Sequence, residues 1–381
     1  MRLTPIHPFP ARMAPEIILE SLEALPPHST VLDPMVGSGT VLRACVEKGL
    51  NCFGFDADPL AVLMTRVWTR HPPAGLAQEA KKLVEAAQND PLEIPNWHRS
   101  CEETRKFCKF WFEADQYDQL SKLANRLFDR SDEFADALRL ALSRIIITKE
   151  KGASIARDTS HSRPHRVFFN NDFDVYRNFI IAARRIEERL KPELILGSAQ
   201  VQSGDARSLS LQSASVDAVI TSPPYLNAID YMRGHRLALV WLGFKVDQLR
   251  VVRSNAIGAE ASKLGCMTQI AREIPDFERL SSRNQGIIQR YAWDIEALMR
   301  EVRRVIRPGG RVLVVVGNST IKDINIPNAD INIVGARHVG LRFDGRIERA
   351  LPANSRYLPI NGGSSALSKR MRTETILTFE G

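Results

Sequence analysis

Hydrophobic residues along this chain follow two patterns, short continuous runs and longer stretches with helical spacing. Short apolar runs predict strands at 30–33, 216–220 and 311–317, and further strands are predicted at 51–55, 194–205, 341–351 and 373–379. Helical spacing predicts helices at 15–25, 41–48 and 291–306, and Pro308 with its two following glycines predicts a turn over Arg307–Gly310. Strands that alternate with helices are typical of an α/β domain with a mostly parallel sheet.

The stretch between the second and third predicted strands has a different pattern. It shows apolar residues at helical spacing in four segments, 76–87, 112–129, 132–147 and 173–190. No run of strand type has a comparable length there. With 381 residues, the chain is also longer than a typical single domain. We therefore expect one α/β domain, formed by residues 1–65 and 193–381, with a mainly helical insertion at 66–192.

The first predicted strand runs into a glycine-bearing turn, Asp33–Thr40, that is followed by a helix. Gly37 and Gly39 allow a close backbone approach to a ligand, and the helix N-terminus suits an anionic group. The second strand ends at Asp56, the place where nucleotide-binding folds hold ribose hydroxyls. Together these features predict a nucleotide-type cofactor site.

A second motif, Thr221-Ser222-Pro223-Pro224-Tyr225, closes the strand predicted at 216–220. The two prolines lack N–H donors, so the chain has to leave the sheet in a stiff, extended turn. Such a turn presents a hydroxyl, free carbonyls and an aromatic ring at a carboxyl strand end, where open α/β sheets bind ligands. Pro-Pro-Tyr alone is more often turn punctuation or a proline-rich ligand, so its meaning depends on the glycine turn and the acid after the second strand.

In combination, these motifs resemble those of the S-adenosylmethionine-dependent DNA methyltransferases that modify exocyclic amines. The turn Asp33–Thr40 is similar to their cofactor loop, with Met35 in place of the usual aromatic residue. Phe55–Pro59 resembles the ribose-binding segment, Ser203–Ala206 the segment against the adenine, and His7–Arg12 the segment that covers the methionine end. The resemblance covers residues 5–65 and 195–320. It implies a Rossmann-like methyltransferase fold with a mostly parallel, seven-stranded sheet.

The same resemblance implies the functional residues. The expected catalytic residues are Ser222, Pro223, Pro224 and Tyr225. The residues expected to contact S-adenosylmethionine are Phe9, Pro10, Arg12, Asp33, Pro34, Gly37, Ser38, Gly39, Thr40, Asp56, Ala57, Asp58, Asp205, Ala206 and Thr221.

The chemistry of a base amine explains why such a turn is needed. An exocyclic amine is a poor nucleophile because its lone pair is delocalised into the ring. Hydrogen bonds from the amine to the Ser222 hydroxyl oxygen and the Pro223 carbonyl favour a tetrahedral, more nucleophilic nitrogen in the transition state. We expect the methyl group to pass directly from sulfonium to nitrogen, so that positioning dominates the rate. In duplex DNA the base has to be flipped out, and we expect it to stack on Tyr225.

Other chemistries fit the sequence less well. Carbon-5 cytosine methylation needs a nucleophilic thiolate, yet none of the five cysteines follows a proline or lies in a comparable turn. There is no Cys-x-x-Cys pair, and we expect neither disulfides nor a metal. Trp241 and Trp293 fall in helical patterns and are expected in the core.

Which amine is methylated depends on one residue. In the resembling family, serine at the first of the four catalytic positions goes mostly with N4-cytosine, and Asp or Asn with N6-adenine, so Ser222 favours N4-cytosine. N6-adenine DNA methylation and methylation of an RNA base amine are the alternatives. A decayed, non-catalytic binding module is a third, which the intact motifs disfavour.

Charge and hydropathy indicate the partners. The net charge of +8 favours a polyanionic partner, and we expect DNA. Five segments are candidates for contacting it, at 149–166, 226–236, 245–290, 356–359 and 369–372, and the helical insertion is another. No secretory leader or long apolar span is visible, so we expect a cytoplasmic protein with no membrane partner. A cognate restriction endonuclease and the oligomeric state are left open.

Overall fold

A computed structural model of the chain describes residues 3–9, 12–148, 151–157, 165–166, 171–190, 192–226, 230–259, 277–317, 319–321, 324–351 and 373–381. These residues form two compact units. The helical unit comprises Met1–Pro10, Asp58–Ile195 and Asp230–Val252, and the sheet unit comprises Ala11–Ala57, Leu196–Ile229 and Arg253–Gly381.

Eleven strands lie in the described ranges. They are β1 (Thr30–Asp33), β2 (Asn51–Asp56), β3 (Ala156–Arg157), β4 (His165–Arg166), β5 (Ser198–Ser203), β6 (Val216–Thr221), β7 (Ile306–Gly317), β8 (Ser319–Ile321), β9 (Ile324–Ile326), β10 (Arg342–Ala350) and β11 (Thr373–Glu380). Seven of them form one sheet in the order β10–β11–β7–β6–β1–β2–β5, and β3–β4 and β8–β9 are separate two-stranded pairs. All seven predicted strands belong to the large sheet, which confirms the predicted α/β fold class.

Strand β1 is an inner strand of this sheet. It pairs in parallel with β2 and with β6, so that Leu32 lies opposite Phe53 on one side and Val219 on the other. β5 continues the parallel pairing beyond β2, as β7 does beyond β6. β11 is antiparallel to both of its neighbours, β7 and β10. Five of the six residues of β6 are buried, as in a parallel strand that is covered on both faces.

The helices of the sheet unit are α1 (Pro15–Glu23), α2 (Thr40–Glu47), α12 (Ser282–Val305) and α13 (Asn328–His338). Those of the helical unit are α3 (Pro59–Trp68), α4 (Leu76–Asn89), α5 (Asn96–Arg99), α6 (Glu102–Trp111), α7 (Ala114–Phe128), α8 (Ala135–Ile146), α9 (Val175–Arg189) and α10 (Tyr231–Leu239), whereas α11 (Val246–Asn255) runs from this unit into the sheet unit. The four helices predicted between the second and third strands are α4, α7, α8 and α9.

Two predicted details of α12 are wrong. The helix starts at Ser282, nine residues before the predicted Tyr291, and buries Asn284 and Ile288 in this added part. Residues 245–290, a candidate DNA-contacting segment, therefore contain the start of α12 as well as α11. Trp293, expected in the core, keeps 38% of its surface exposed, because Tyr291, Ala292, Asp294 and Ile295 occupy the buried side of the helix. Trp241 is buried as predicted, with 1% of its surface exposed.

The segment predicted as a turn, Arg307–Gly310, lies within β7, which begins at Ile306, and it interrupts the pairing with β6, which shifts from Val216–Ile306 to Ala218–Arg311. Gly309 has a φ of 74°, in the left-handed region that glycine tolerates. Its N–H donates to the Gly381 carbonyl over 3.1 Å, and the Gly381 N–H donates to the Gly310 carbonyl over 2.9 Å. Backbone partners from a distant part of the chain thus keep this segment in the sheet.

The helical unit includes two segments that the sequence division assigned to the α/β domain. One is the N-terminal segment, where His7 Nε2 lies 2.9 Å from Ser143 Oγ and Arg189 donates to the Pro5 carbonyl over 2.5 Å. The other is Asp230–Val252, in which the Val240 carbonyl accepts from the indole of Trp97 over 2.7 Å. These hydrogen bonds attach both segments to the helices.

None of the helices in the described ranges combines the length and apolar character needed to cross a bilayer.

Candidate active site

Apart from Arg12, the predicted site residues of the sheet unit lie at one edge of its sheet. Strands β5, β2, β1 and β6 are parallel, so their carboxyl ends, and the turns that follow them, share that edge. The turns bring together Asp33, Pro34, Gly37, Ser38, Gly39, Thr40, Asp56, Ala57, Asp205, Ala206, Thr221, Ser222, Pro223, Pro224 and Tyr225. The glycine turn and the Pro-Pro-Tyr turn follow neighbouring strands, β1 and β6.

The glycine turn has the backbone geometry that its sequence predicts. Gly37 and Gly39 have φ angles of 48° and 82°, both in the left-handed region. Gly39 precedes α2 as its N-cap residue, and no side chain of the described residues caps this helix end. The N–H groups of the first helical turn therefore point to a place where a ligand could accept hydrogen bonds.

A third glycine, Gly54 in β2, lies beneath this turn. A Cβ atom at Gly54 would stand 2.5 Å from side-chain carbons of Val36 and Leu42. These two side chains therefore pack directly on the β2 backbone. The Val36 N–H donates to the Phe55 carbonyl over 2.9 Å, which ties the glycine turn to the same strand.

Asp56 ends β2 beside the glycine turn. Its Oδ2 accepts a hydrogen bond from the Gly37 N–H over 2.9 Å. The Asp56 backbone carbonyl accepts from the Gly204 N–H over 3.0 Å, which also links β2 to the turn after β5. Asp56 therefore connects the segment expected against the ribose with the one expected against the adenine.

Asp33 lies beneath the surface, with 3% of it exposed, and links the two turns. Its Oδ1 accepts from the Thr221 hydroxyl over 2.9 Å and from the Met35 N–H over 3.1 Å. Burial raises the pKa of Asp33 to about 7, although these two hydrogen bonds act to lower it. Thr221 is also buried, with 1% exposed. The buried Asp33–Thr221 hydrogen bond thus connects the glycine turn to the Pro-Pro-Tyr turn.

Ser222 is oriented by the neighbouring strand. The pairing of β6 with β7 ends at Thr221, opposite Val314, because Pro223 has no N–H to continue it. The Ser222 hydroxyl donates instead to the Val315 carbonyl over 2.9 Å. Its proton is thereby directed into the sheet. The lone pairs of Ser222 Oγ are left to accept from another donor.

Tyr225 is half-buried and packs against the hydrophobic core of the sheet unit, which contains Tyr291. Leu226, the next residue, is fully buried in the same core. This packing fixes the end of the Pro-Pro-Tyr turn on the sheet unit.

Asp205 follows β5, and its carboxylate binds a neighbouring arginine that the motif comparison did not include. The Arg207 guanidinium donates to Asp205 Oδ1 from Nε over 2.9 Å and to Oδ2 from Nη2 over 2.7 Å. Partial burial would raise the pKa of Asp205, but hydrogen bonds from Arg207 outweigh it and hold the pKa below its usual value. Asp205 is therefore ionised at neutral pH.

Two other predicted cofactor residues lie in the helical unit. Asp58 caps α3 by accepting from the Leu60 N–H over 2.9 Å, and its Oδ2 lies 2.5 Å from His235 Nδ1. Phe9 stacks on Tyr231 with ring centroids 5.1 Å apart. Sequence reasoning did not single out His235 as the partner of Asp58, and no local signal joins residues that are 177 positions apart.

Some expectations fall wholly or partly outside the described residues. Arg12 is exposed on the sheet unit, whereas Pro10 is not described. The candidate DNA-contacting segments at 356–359 and 369–372, and parts of those at 149–166, 226–236 and 245–290, are likewise outside the described ranges. Among the residues that are described, no group of three His, Cys, Asp or Glu side chains is placed to hold a metal ion.

Two type II methyltransferases are similar in sequence to most of this chain. The type II methyltransferase M.MvaI of Kocuria varians is 23% identical over 376 residues, which cover 84% of this chain and 78% of that protein. M.AvaI, a type II methyltransferase of Nostoc sp., is 23% identical over 354 residues, which cover 78% of this chain and 70% of that protein. No protein-family model matches the chain.

Among solved structures, a SAM-dependent methyltransferase from Methanosarcina mazei aligns with 97% of this chain and 98% of its own, at 9% identity and a TM-score of 0.35. The strand order of the sheet assigns the chain to the α/β methyltransferase fold. The two sequence relatives indicate that the chain is a distant homologue of the type II methyltransferases.

Proposed function

We propose that this protein is a site-specific DNA methyltransferase that transfers a methyl group from S-adenosylmethionine to the exocyclic N4 amine of a flipped-out cytosine. Its relatives are type II methyltransferases, and the net charge of +8 suits a polyanionic substrate. The observation that carries the proposal is the placement of the glycine turn and the Ser222 turn at one sheet edge, joined by the Thr221–Asp33 hydrogen bond.

The residues at this edge fit S-adenosylmethionine. Gly37 and Gly39 allow a ligand to approach the backbone, and the uncapped start of α2 offers N–H donors. In this proposal Asp56, at the end of β2, accepts from the ribose hydroxyls, and the Asp205–Ala206 turn contacts the adenine. When bound, this cofactor supplies an electrophilic methyl group on a sulfonium.

Ser222 supports the amine chemistry through its orientation. Since its proton is donated to the Val315 carbonyl, Ser222 Oγ can only accept from an incoming amine. The Pro223 carbonyl is a second acceptor at the same turn. Two acceptors that bind the amine hydrogens favour a tetrahedral nitrogen whose lone pair is available for attack. Asp33 is buried beneath the turn and takes no part in this contact.

Tyr225 is the proposed stacking partner of the extruded base. Its ring is half-buried against the core, so a base could stack only on the part that is left exposed. Replacing Tyr225 by alanine should reduce base capture, measured as a smaller rise of 2-aminopurine fluorescence at the target position. A rise that equals that of the wild type would contradict stacking.

Methylome sequencing tests the proposed reaction directly. A host that expresses the wild-type protein should gain N4-methylcytosine at one recognition sequence, and a host that expresses Ser222→Ala should gain far less. If the host gains N6-methyladenine instead, the result would support N6-adenine DNA methylation, the alternative that Ser222 disfavours. To test the RNA alternative, tritium transfer from labelled cofactor is compared on duplex DNA and on bulk tRNA. If only tRNA is labelled, the DNA assignment fails.

A further inference from the structure

Arg207 is the centre of a polar network in the sheet unit. Besides its bonds to Asp205, its guanidinium donates from Nη1 to Asp294 Oδ1 and from Nη2 to the Asn255 carbonyl, both over 2.5 Å. Only 14% of the Arg207 side chain is exposed. Its two carboxylate partners raise the pKa of Arg207 well above its ordinary value, so that the guanidinium is always charged.

Asp294 anchors this network from below. It belongs to α12, its side chain is completely buried, and it also accepts from the Gly258 N–H over 3.2 Å. A buried carboxylate needs a charged or hydrogen-bonding partner, because desolvation of an unpaired charge costs several kcal/mol. Arg207 is that partner. The guanidinium is thereby fixed to α12 independently of its contact with Asp205.

The network leaves Asp205 with room for one more donor. Asp205 Oδ1 accepts from the Arg207 backbone N–H and from Nε, both over 2.9 Å. Oδ2 accepts from Nη2 over 2.7 Å and shares the Nε hydrogen with Oδ1, over 3.2 Å. Because this shared hydrogen bond is weak and 46% of the Asp205 side chain is exposed, Oδ2 can still accept a hydrogen bond from a ligand. Its direction is set by the planar guanidinium.

We infer that Arg207, anchored by Asp294, is a positioning residue that orients the Asp205 carboxylate toward the amino group of the cofactor's adenine. This inference rests on the proposed function, since it assumes that S-adenosylmethionine binds along the turn after β5. Arg207 acts through Asp205 and need not touch the cofactor itself. The network therefore sets how well the site distinguishes adenine from a purine that lacks the amine.

The test compares two ligands by calorimetry, S-adenosylhomocysteine and its inosine analogue, which has a carbonyl oxygen where adenine has the amine. Arg207→Lys keeps a positive charge beside Asp294 but loses the two parallel N–H donors, Nε and Nη2, that bind Asp205. The pair Arg207→Gln with Asp294→Asn removes both charges and leaves no buried ion unpaired. In both variants the preference for the adenine ligand should fall about tenfold, the size of one charged hydrogen bond.

Arg304 offers a matched control on α12, the helix that carries Asp294. It joins α12 to the same loop by donating to the carbonyls of Leu209 and Leu211 over 2.9 and 2.7 Å, but it makes no contact with Asp205. Arg304→Gln should lower the melting temperature and leave the ligand preference unchanged. The inference is overturned if the Arg207 variants keep the wild-type preference, or if Arg304→Gln loses it equally. A wild-type protein that binds neither ligand would refute the proposed function instead.

Discussion

The Ser222 hydroxyl shows how one hydrogen bond can decide the role of a side chain. A free serine hydroxyl rotates and can either donate or accept. At Ser222 the Val315 carbonyl, 2.9 Å away, takes the proton, because Pro223 leaves this carbonyl without a backbone donor. The same proline that ends the strand pairing therefore turns the serine into an acceptor.

Replacing Ser222 by alanine removes this acceptor without changing the backbone. We expect kcat to fall about 100-fold, by analogy with the loss of one preorganised polar group in other active sites. The affinity for S-adenosylmethionine should stay within about twofold, since none of the proposed cofactor contacts involves this hydroxyl. Steady-state tritium transfer and calorimetry measure the two quantities. Ser215→Ala, which removes a hydroxyl that donates to the Gln212 carbonyl just before the same strand, is the control.

Asp56 should show the opposite behaviour. Asp56→Ala loses the proposed ribose contact and the tie to the Gly37 N–H, so we expect cofactor affinity to fall about 10- to 100-fold. At saturating cofactor, kcat should change little. Asp56→Asn keeps a side-chain oxygen for Gly37 and should lose less affinity. If instead both variants lose kcat and keep affinity, the ribose assignment is wrong.

Burial of Asp33 makes stability depend on pH. The folded protein keeps Asp33 protonated up to about pH 7, whereas the unfolded chain releases this proton near pH 3.8. The free energy of unfolding should therefore fall as the pH rises across that window, by roughly 3–4 kcal/mol from this group. Urea unfolding of the wild type and of Asp33→Asn at pH 4.5 and 7 measures it. An equal pH dependence in both proteins would contradict the raised pKa.

At the scale of the elements, the pattern of the sequence predicted the central strands well. Continuous apolar runs such as that in β6 are buried on both faces, and this leaves little ambiguity in their assignment. The start of α12 was missed because its first turns carry arginine, asparagine and glutamine, with few apolar residues. The segment Ile306–Gly310 was missed because its place in the sheet depends on backbone partners at Gly381.

The attachment of the N-terminal segment to the helical unit should be sensitive to acid. His7 is buried, and burial lowers its pKa from 6.5 to about 3, since the charged form loses its hydration. The contribution of neutral His7 to the free energy of unfolding is fully present above pH 6.5 and is lost as the pH falls toward 3. By pH 5 the loss should reach about 2 kcal/mol.

The acid effect is measured by urea unfolding at pH 7 and pH 5. His7→Gln keeps a neutral group near Ser143 and should show a smaller loss between the two values. Because the trend for Asp33 has the opposite sign, the two variants separate the contributions of two groups that lie in different units. If His7→Gln is as acid-sensitive as the wild type, another group is responsible.

At the scale of the whole molecule, the local motifs indicated which residues share the sheet edge, because parallel strands end together. They could not indicate the partners of those residues. Arg207 and Asp294 are 87 positions apart, and Thr221 and Asp33 are 188 apart. Contacts of this kind depend on how the chain packs, and each involves residue types that are common on any protein surface.

The net charge of +8 leads to a prediction about DNA binding. If about six phosphates are contacted, affinity for duplex DNA should fall about 10³-fold between 50 and 200 mM salt. Fluorescence anisotropy with a labelled duplex measures this slope, and Ser222→Ala allows it to be measured without turnover. An affinity that does not depend on salt would argue against a phosphate-contacting surface.

Gly54 has a practical consequence for genetics. Any side chain here would overlap Val36 and Leu42, whose carbons lie 2.5 Å from where the new atom would stand. Strand β2 could keep its pairing with both neighbours, while the glycine turn above it would have to shift outward. An alanine at this position should therefore give a conditional allele, a protein that still accumulates in cells but loses its modifying activity first when the culture is warmed.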